Sequence, residues 1–133
     1  MDKRLLSRED EAATDTQVTR ADQDRINRFS TLHQKQGLLR EELEAKHQEK
    51  EYLTDVTSEL ELADEDELVP YKIGDSFLHL PLEEVQQLLE KSTERIEKEI
   101  GAIEERISKH RETMEELKVE LYAKFGKAIN LDV

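Results

Sequence analysis

Two stretches with a seven-residue apolar pattern, at about residues 22–62 and 82–125, flank one short segment that reads as a β-hairpin. This constrains the fold more than any other feature. A chain that leaves as a helix, turns through a strand pair and returns as a helix of similar length is mainly α. The predicted fold is a long antiparallel two-helix coiled coil joined by one β-hairpin. It offers no broad centre in which to build a catalytic pocket, so its expected work is mechanical: holding, bridging or gripping.

The first stretch follows alternating steps of four and three through Phe29, Leu32, Gln36, Leu39, Leu43, Lys46, Lys50, Leu53, Thr57 and Leu60. Six of these ten are apolar, with a polar break from Lys46 to Lys50. The second stretch is cleaner: Leu89, Thr93, Ile96, Ile100, Ile103, Ile107, His110, Met114, Leu117 and Leu121, eight of ten apolar. Two strict seams predict helices that pack on each other. An antiparallel return sets residues whose numbers sum to about 144 level with one another. Lys46 and Lys50 then lie beside Glu99, Glu97 and Glu94, which bridges the polar break. Exposed pairs of that kind set register more than they stabilise. Gln36 falls opposite His110, a polar register element, and Gly101 permits a close approach, a bend or simple tolerance.

Local signals mark the ends. Thr19 is placed to cap a helix, with Asp22 three residues on, where the helix dipole favours negative charge. Asp64-Glu65-Asp66-Glu67 ends the first helix and Pro70 forbids its continuation. Residues 68–80 surround Gly74-Asp75, a tight-turn pair, and Pro81 is suited to the opening of the second helix. The expected organisation is a disordered tail over 1–16 and one domain over 17–133. Within it lie a helix over about 20–63, a hairpin over about 68–80, a helix over about 82–125 and a short C-terminal tail.

A lone hairpin is marginal in water, and its open edges recruit other strands. Val69, Tyr71, Ile73, Phe77 and Leu78 are therefore expected to form a subunit interface, in which hairpins of several chains assemble into a sheet or β-barrel. The alternative is an unpaired loop at the tip of the coil. The other end of each helix carries Ile26 and Phe29, or Met114, Leu117, Leu121, Tyr122 and Phe125, with Ile129 and Leu131 in the tail. Fraying there would expose side chains able to hold extended, unfolded chains. A packed coil end, its helix stopped by Gly126, is the equal alternative.

Composition excludes more than it assigns. Charged residues make up 40% and aromatics 5%, too little apolar material for several layers around one core. A net charge of −13 repels phosphate backbones, so no nucleic-acid partner is expected. The absence of cysteine removes thiolate chemistry and Cys-ligated zinc. The four histidines are dispersed, the four glycines form no phosphate loop, and no acid–base pair on a pocket wall can be proposed. No enzyme activity, cofactor or metal is expected. Asp64–Glu67 lacks the spacing of a calcium loop and is read as solvation, or as a docking surface for a basic partner. Without an apolar run of about 20 residues the chain is expected to have no membrane partner, and its polar N-terminus suits neither a signal nor a transit peptide. A cytoplasmic location is expected, and a nuclear pool is compatible with it.

Three stretches carry a family resemblance. Residues 18–29 read VTRADQDRINRF, residues 64–77 read DEDELVPYKIGDSF, and residues 121–131 read LYAKFGKAINL. Together they resemble the prefoldin family, over essentially residues 17–133. The last stretch is the most specific, because heptad selection does not explain it. The first departs at Arg20-Ala21, where similar sequences have Phe-Glu. The single hairpin matches a β-type subunit, since α-type subunits carry two. The resemblance implies a heterohexameric, ATP-independent chaperone of two α-type and four β-type subunits, whose hairpins form a double β-barrel with coiled coils below it. It implies capture of nascent or unfolded proteins, notably actin and tubulin, and delivery to the cytosolic chaperonin. By carry-over, Tyr71, Ile73, Phe77 and Leu78 would belong to the barrel, and the terminal ends of the helices would face the client. A structural scaffold or tether without client binding is the alternative.

Overall fold

A computed structural model describes residues 17–131; the tail expected over residues 1–16 lies outside the described residues. Helix α1 spans Arg20–Leu60, strands β1 and β2 span Leu68–Ile73 and Ser76–Pro81, and helix α2 spans Leu82–Phe125. A 3₁₀ turn, Gly126–Ala128, follows.

Helix α1 starts where its capping chemistry dictates. The Asp22 backbone N–H donates to Thr19 Oγ1 (3.2 Å), while the Thr19 N–H donates back to Asp22 Oδ2 (3.0 Å). The two residues satisfy each other's orphaned groups in a capping box with aspartate at its far position. At the other end α1 stops at Leu60, short of the expected 63. There the turn tightens: Leu62 N–H reaches Glu59 O (3.2 Å) and Ala63 N–H reaches Leu60 O (3.1 Å). No basic residue in the last turn offsets the helix dipole, and acids follow, so the final carbonyls find three-residue bonds instead.

Strands β1 and β2 pair antiparallel with Ile73 opposite Ser76, leaving Gly74-Asp75 as a two-residue turn. Gly74 has φ of 60°, which the primed turns of tight hairpins require and which a side chain would strain. Pro81 closes β2, one residue outside α2, rather than occupying the helix's first position. Glu83 and Glu84 then supply negative charge at the α2 N-terminus. Gly126, with φ of 55°, ends α2 in the left-handed conformation common after a helix C-cap.

The chain divides into two units. One holds the described residues up to Glu41 with those from Glu105; the other is Glu42–Glu104. In the first, the core is a cluster of Ile26, Phe29 and Leu32 from α1, Met114, Leu117, Leu121 and Phe125 from α2, and Ala128, Ile129 and Leu131 from the tail. In the second, the fully buried apolar residues come from α2: Leu82, Val85, Leu89, Ile96, Ile100 and Ile103. Its α1 seam residues, Leu43, Leu53 and Leu60, are only half-buried.

The seams hold. Every seam position read from the sequence on both helices is buried or half-buried. The register also holds within each unit, to a few residues. In the hairpin unit, Lys46 Nζ meets Glu99 Oε2 (2.8 Å) and Lys50 Nζ meets Glu97 Oε1 (3.5 Å), bridging the polar break; Glu94 joins no ion pair among the described residues. In the terminal unit, Arg25 Nε meets Glu120 Oε2 (3.0 Å). Gly101 is not a point of close approach, since a Cβ there would meet nothing within 4 Å.

Candidate functional site

Strand period two sorts the hairpin into unlike faces. The register puts Val69, Tyr71, Ile73, Ser76, Leu78 and Leu80 on one face, and Leu68, Pro70, Lys72, Phe77, His79 and Pro81 on the other. Four of the five expected interface residues thus share one apolar face, and Phe77 lies on the opposite one. Exposure is high: Phe77 62%, Leu68 60%, Ile73 52% and Leu78 47%. Val69, Tyr71 and Leu80 are half-buried. Among the described residues the sheet has two strands, so each keeps one unpaired edge. Leu80 belongs to this apolar face as well, and Leu68 lies with Phe77 on the other; alternation along each strand was the signal for both.

The residues expected to hold client behave differently. Ile26, Phe29, Met114, Leu117, Leu121 and Phe125 all lie in the buried cluster, and Tyr122 packs partly buried against it. Leu131 is fully buried, at 0% exposure. In this conformation the residues of the C-terminal tail close over the helix ends, so these side chains form a core and not an open surface.

An ionic group is built into the same unit. Asp22 is 3% exposed, yet it is charged. Its carboxylate accepts hydrogen bonds from Lys124 Nζ, from the Thr19 hydroxyl (2.8 Å) and backbone N–H, and from Arg25 (3.3 Å). Burial alone would raise its pKa. The Lys124 and Thr19 hydrogen bonds outweigh that and hold it down at about 2. Asp22 therefore does more than favour the helix dipole: it ties the start of α1 to the last turn of α2. The Lys124 partnership was not legible beforehand, because residues 102 positions apart share no local pattern.

Polar seam positions are unevenly satisfied. Gln36 Nε2 donates to Ile107 O (2.9 Å), while Gln36 Oε1 and His110 Nδ1 are buried without partners among the described residues. Gln36, expected opposite His110, makes its cross-helix hydrogen bond to the Ile107 backbone. In the hairpin unit, the hydrogen bond between Lys46 and Glu99 raises the pKa of the lysine and lowers that of the acid. Among the described residues, no group of three or more His, Cys, Asp or Glu could hold a metal ion. No helix among them is long and apolar enough to cross a membrane.

Known proteins resemble the chain over nearly its whole length. A family model described as "Prefoldin subunit" matches residues 23–128. Prefoldin subunit 4 of Saccharomyces cerevisiae is 44% identical over 117 residues, covering 88% of this chain and 91% of the yeast protein. The Homo sapiens protein of the same name is 41% identical over 122 residues, covering 91% of each. Among solved structures, the prefoldin β subunit from Thermococcus strain KS-1 superposes with a TM-score of 0.76 at 16% identity. That match covers 84% of this chain and 97% of the archaeal one, and it speaks to the fold alone.

Proposed function

The chain belongs to the prefoldin family, and from that premise we propose that it is a β-type subunit of a heterohexameric co-chaperone. Its hairpin joins those of two α-type and other β-type subunits in a β-barrel. The assembly captures unfolded or nascent polypeptides, actin and tubulin among them, without ATP, and passes them to the cytosolic chaperonin. Its place of work is the cytoplasm.

The observation that supports assembly most directly is the hairpin. It presents Ile73 and Leu78, each about half exposed, on one apolar face, with an open edge on both strands. A two-stranded sheet with that surface is stabilised by added strands. Co-expression with candidate subunits followed by native mass measurement is the test. A stoichiometric hexamer is expected, from which an Ile73→Glu, Leu78→Glu chain is missing. Entry of that variant at wild-type stoichiometry would place the assembly surface elsewhere.

A second reading, a tether subunit that does not touch client, draws support from the burial of Ile26, Phe29 and Leu121. Suppression of aggregation by the reconstituted hexamer separates the two. If the hexamer protects an unfolding protein equally well when this chain's terminal unit is altered, client contact belongs to other subunits.

A further inference from the structure

The apolar residues of the terminal unit are closed off, but a groove beside them is not. It measures about 170 Å³ and runs between one stripe of α1 and one of α2. Phe29 and Met114 form its apolar lining, and Gln36, whose Oε1 accepts no hydrogen bond among the described residues, sits between them and Arg40. Arg40, Arg111 and Lys118 stand around it, with His33 on the α1 side and Glu115 as the one acid among the described lining residues. In a chain of net charge −13, three fixed cations around one apolar groove are the reverse of the surface average. None of the three joins an ion pair among the described residues, although Glu115 is a neighbour. Some other lysines and arginines are matched, as at Lys46–Glu99, Arg25–Glu120 and Lys109–Glu105, while others, Arg28 and Arg106 among them, join no ion pair among the described residues, so what sets the groove apart is that its cations gather around apolar lining.

From this arrangement we infer that the groove binds an extended peptide segment in which a bulky apolar residue is flanked by acidic ones. The chemistry divides simply. A cavity of about 150 Å³ accommodates a benzene-sized group, so one leucine or aromatic side chain fills this space against Phe29 and Met114. Carboxylates on either side reach Arg40 and Arg111, whose planar guanidinium groups take carboxylates by paired hydrogen bonds. The inference rests on the client-holding reading above and deepens it, by naming the client segment that this subunit selects.

Fluorescence anisotropy with labelled peptides tests it directly on the full-length chain. The probe peptide has a central leucine flanked by glutamates; comparators replace the leucine by glycine or the glutamates by lysines. The glutamate–leucine peptide is expected to bind about tenfold tighter than either comparator, with affinity falling as ionic strength rises. Arg40→Glu with Arg111→Glu should remove about tenfold or more of that affinity. Arg28→Glu with Arg106→Glu makes the same change in net charge at exposed positions away from the groove and should change affinity little. Equal binding of the lysine peptide, or full affinity in the Arg40–Arg111 variant, overturns the inference. Binding that emerges only after removal of residues 1–16, which include Leu5-Leu6 and Glu9-Asp10-Glu11, would make the chain itself the occupant and also overturn it. Failure of the client reading looks different: the wild-type hexamer gives no protection against aggregation, whatever the peptides do.

Discussion

The terminal unit and the hairpin unit use the same two helices to opposite ends. In the terminal unit both helices and the tail contribute to a closed cluster, with Leu121 at 1% and Leu131 at 0% exposure. In the hairpin unit the buried apolar residues lie on α2, the α1 seam is half-buried, and Phe77 and Ile73 stand more than half exposed. One unit is finished as a single chain and the other is not. Heptad pattern alone does not separate them. What differs is the material beside the seam: a tail that folds onto one, and on the other a hairpin with no further strand among the described residues to pair with.

The sharpest way to break this contrast is to cut the same aromatic from each unit. Phe29→Ala should cost the isolated chain about 3–5 kcal/mol, as for a fully buried aromatic, whereas Phe77→Ala should leave its stability within about 0.5 kcal/mol. In co-expression the order reverses, with Phe77→Ala impairing assembly more. Urea denaturation and native mass measurement read the two halves. Equal costs in the isolated chain would mean that the hairpin is already packed.

A middle-sized effect probes what closes the terminal unit. Lys124→Met leaves Asp22 buried with Thr19 and Arg25 only, so a loss of roughly 2–3 kcal/mol is expected, below that of a pair with no other partner. The pH dependence follows the same group. Its pKa is depressed from 3.8 to about 2, so its contribution is fully present above pH 4 and is lost as pH falls from 4 towards 2. That contribution is about 2 kcal/mol. An Asp22→Asn chain should lack this acid-sensitive component, which stability curves between pH 2 and 6 would register. An unchanged acid limb would show that Asp22 is not clamped in solution.

The smallest effect should be the same in both units. Gly37 and Gly101 lie within helices, one in each unit, and a Cβ at either meets nothing within 4 Å. Ala at each should stabilise by about 0.5–1 kcal/mol. A loss at Gly101 alone would reveal a close approach in the assembled state.

The helices were legible because their seams repeat, and the α2 limits follow from Pro81 before it and Gly126 after it. Strand pairing was legible because Gly74-Asp75 admits one register. The α1 end was three residues too long in expectation, since sequence signals mark where a helix must have stopped but not where its last carbonyls change partner. The groove was the least legible feature. Phe29, Gln36 and Arg40 read as two seam residues and a surface charge, and their meeting with Arg111 and Met114 is a property of the register.

By itself the sequence determined two seamed helices, a capped start, a tight hairpin and an antiparallel register, because each rests on spacing within a few turns of chain. The tertiary structure alone decided which apolar end residues are closed and which stay open. Whether Ile26 and Phe125 face solvent depends on where Ile129 and Leu131 come to rest, and Asp22 is clamped only because Lys124 arrives beside it. Local periodicity names the face that is buried; how completely it is buried depends on what distant chain covers it.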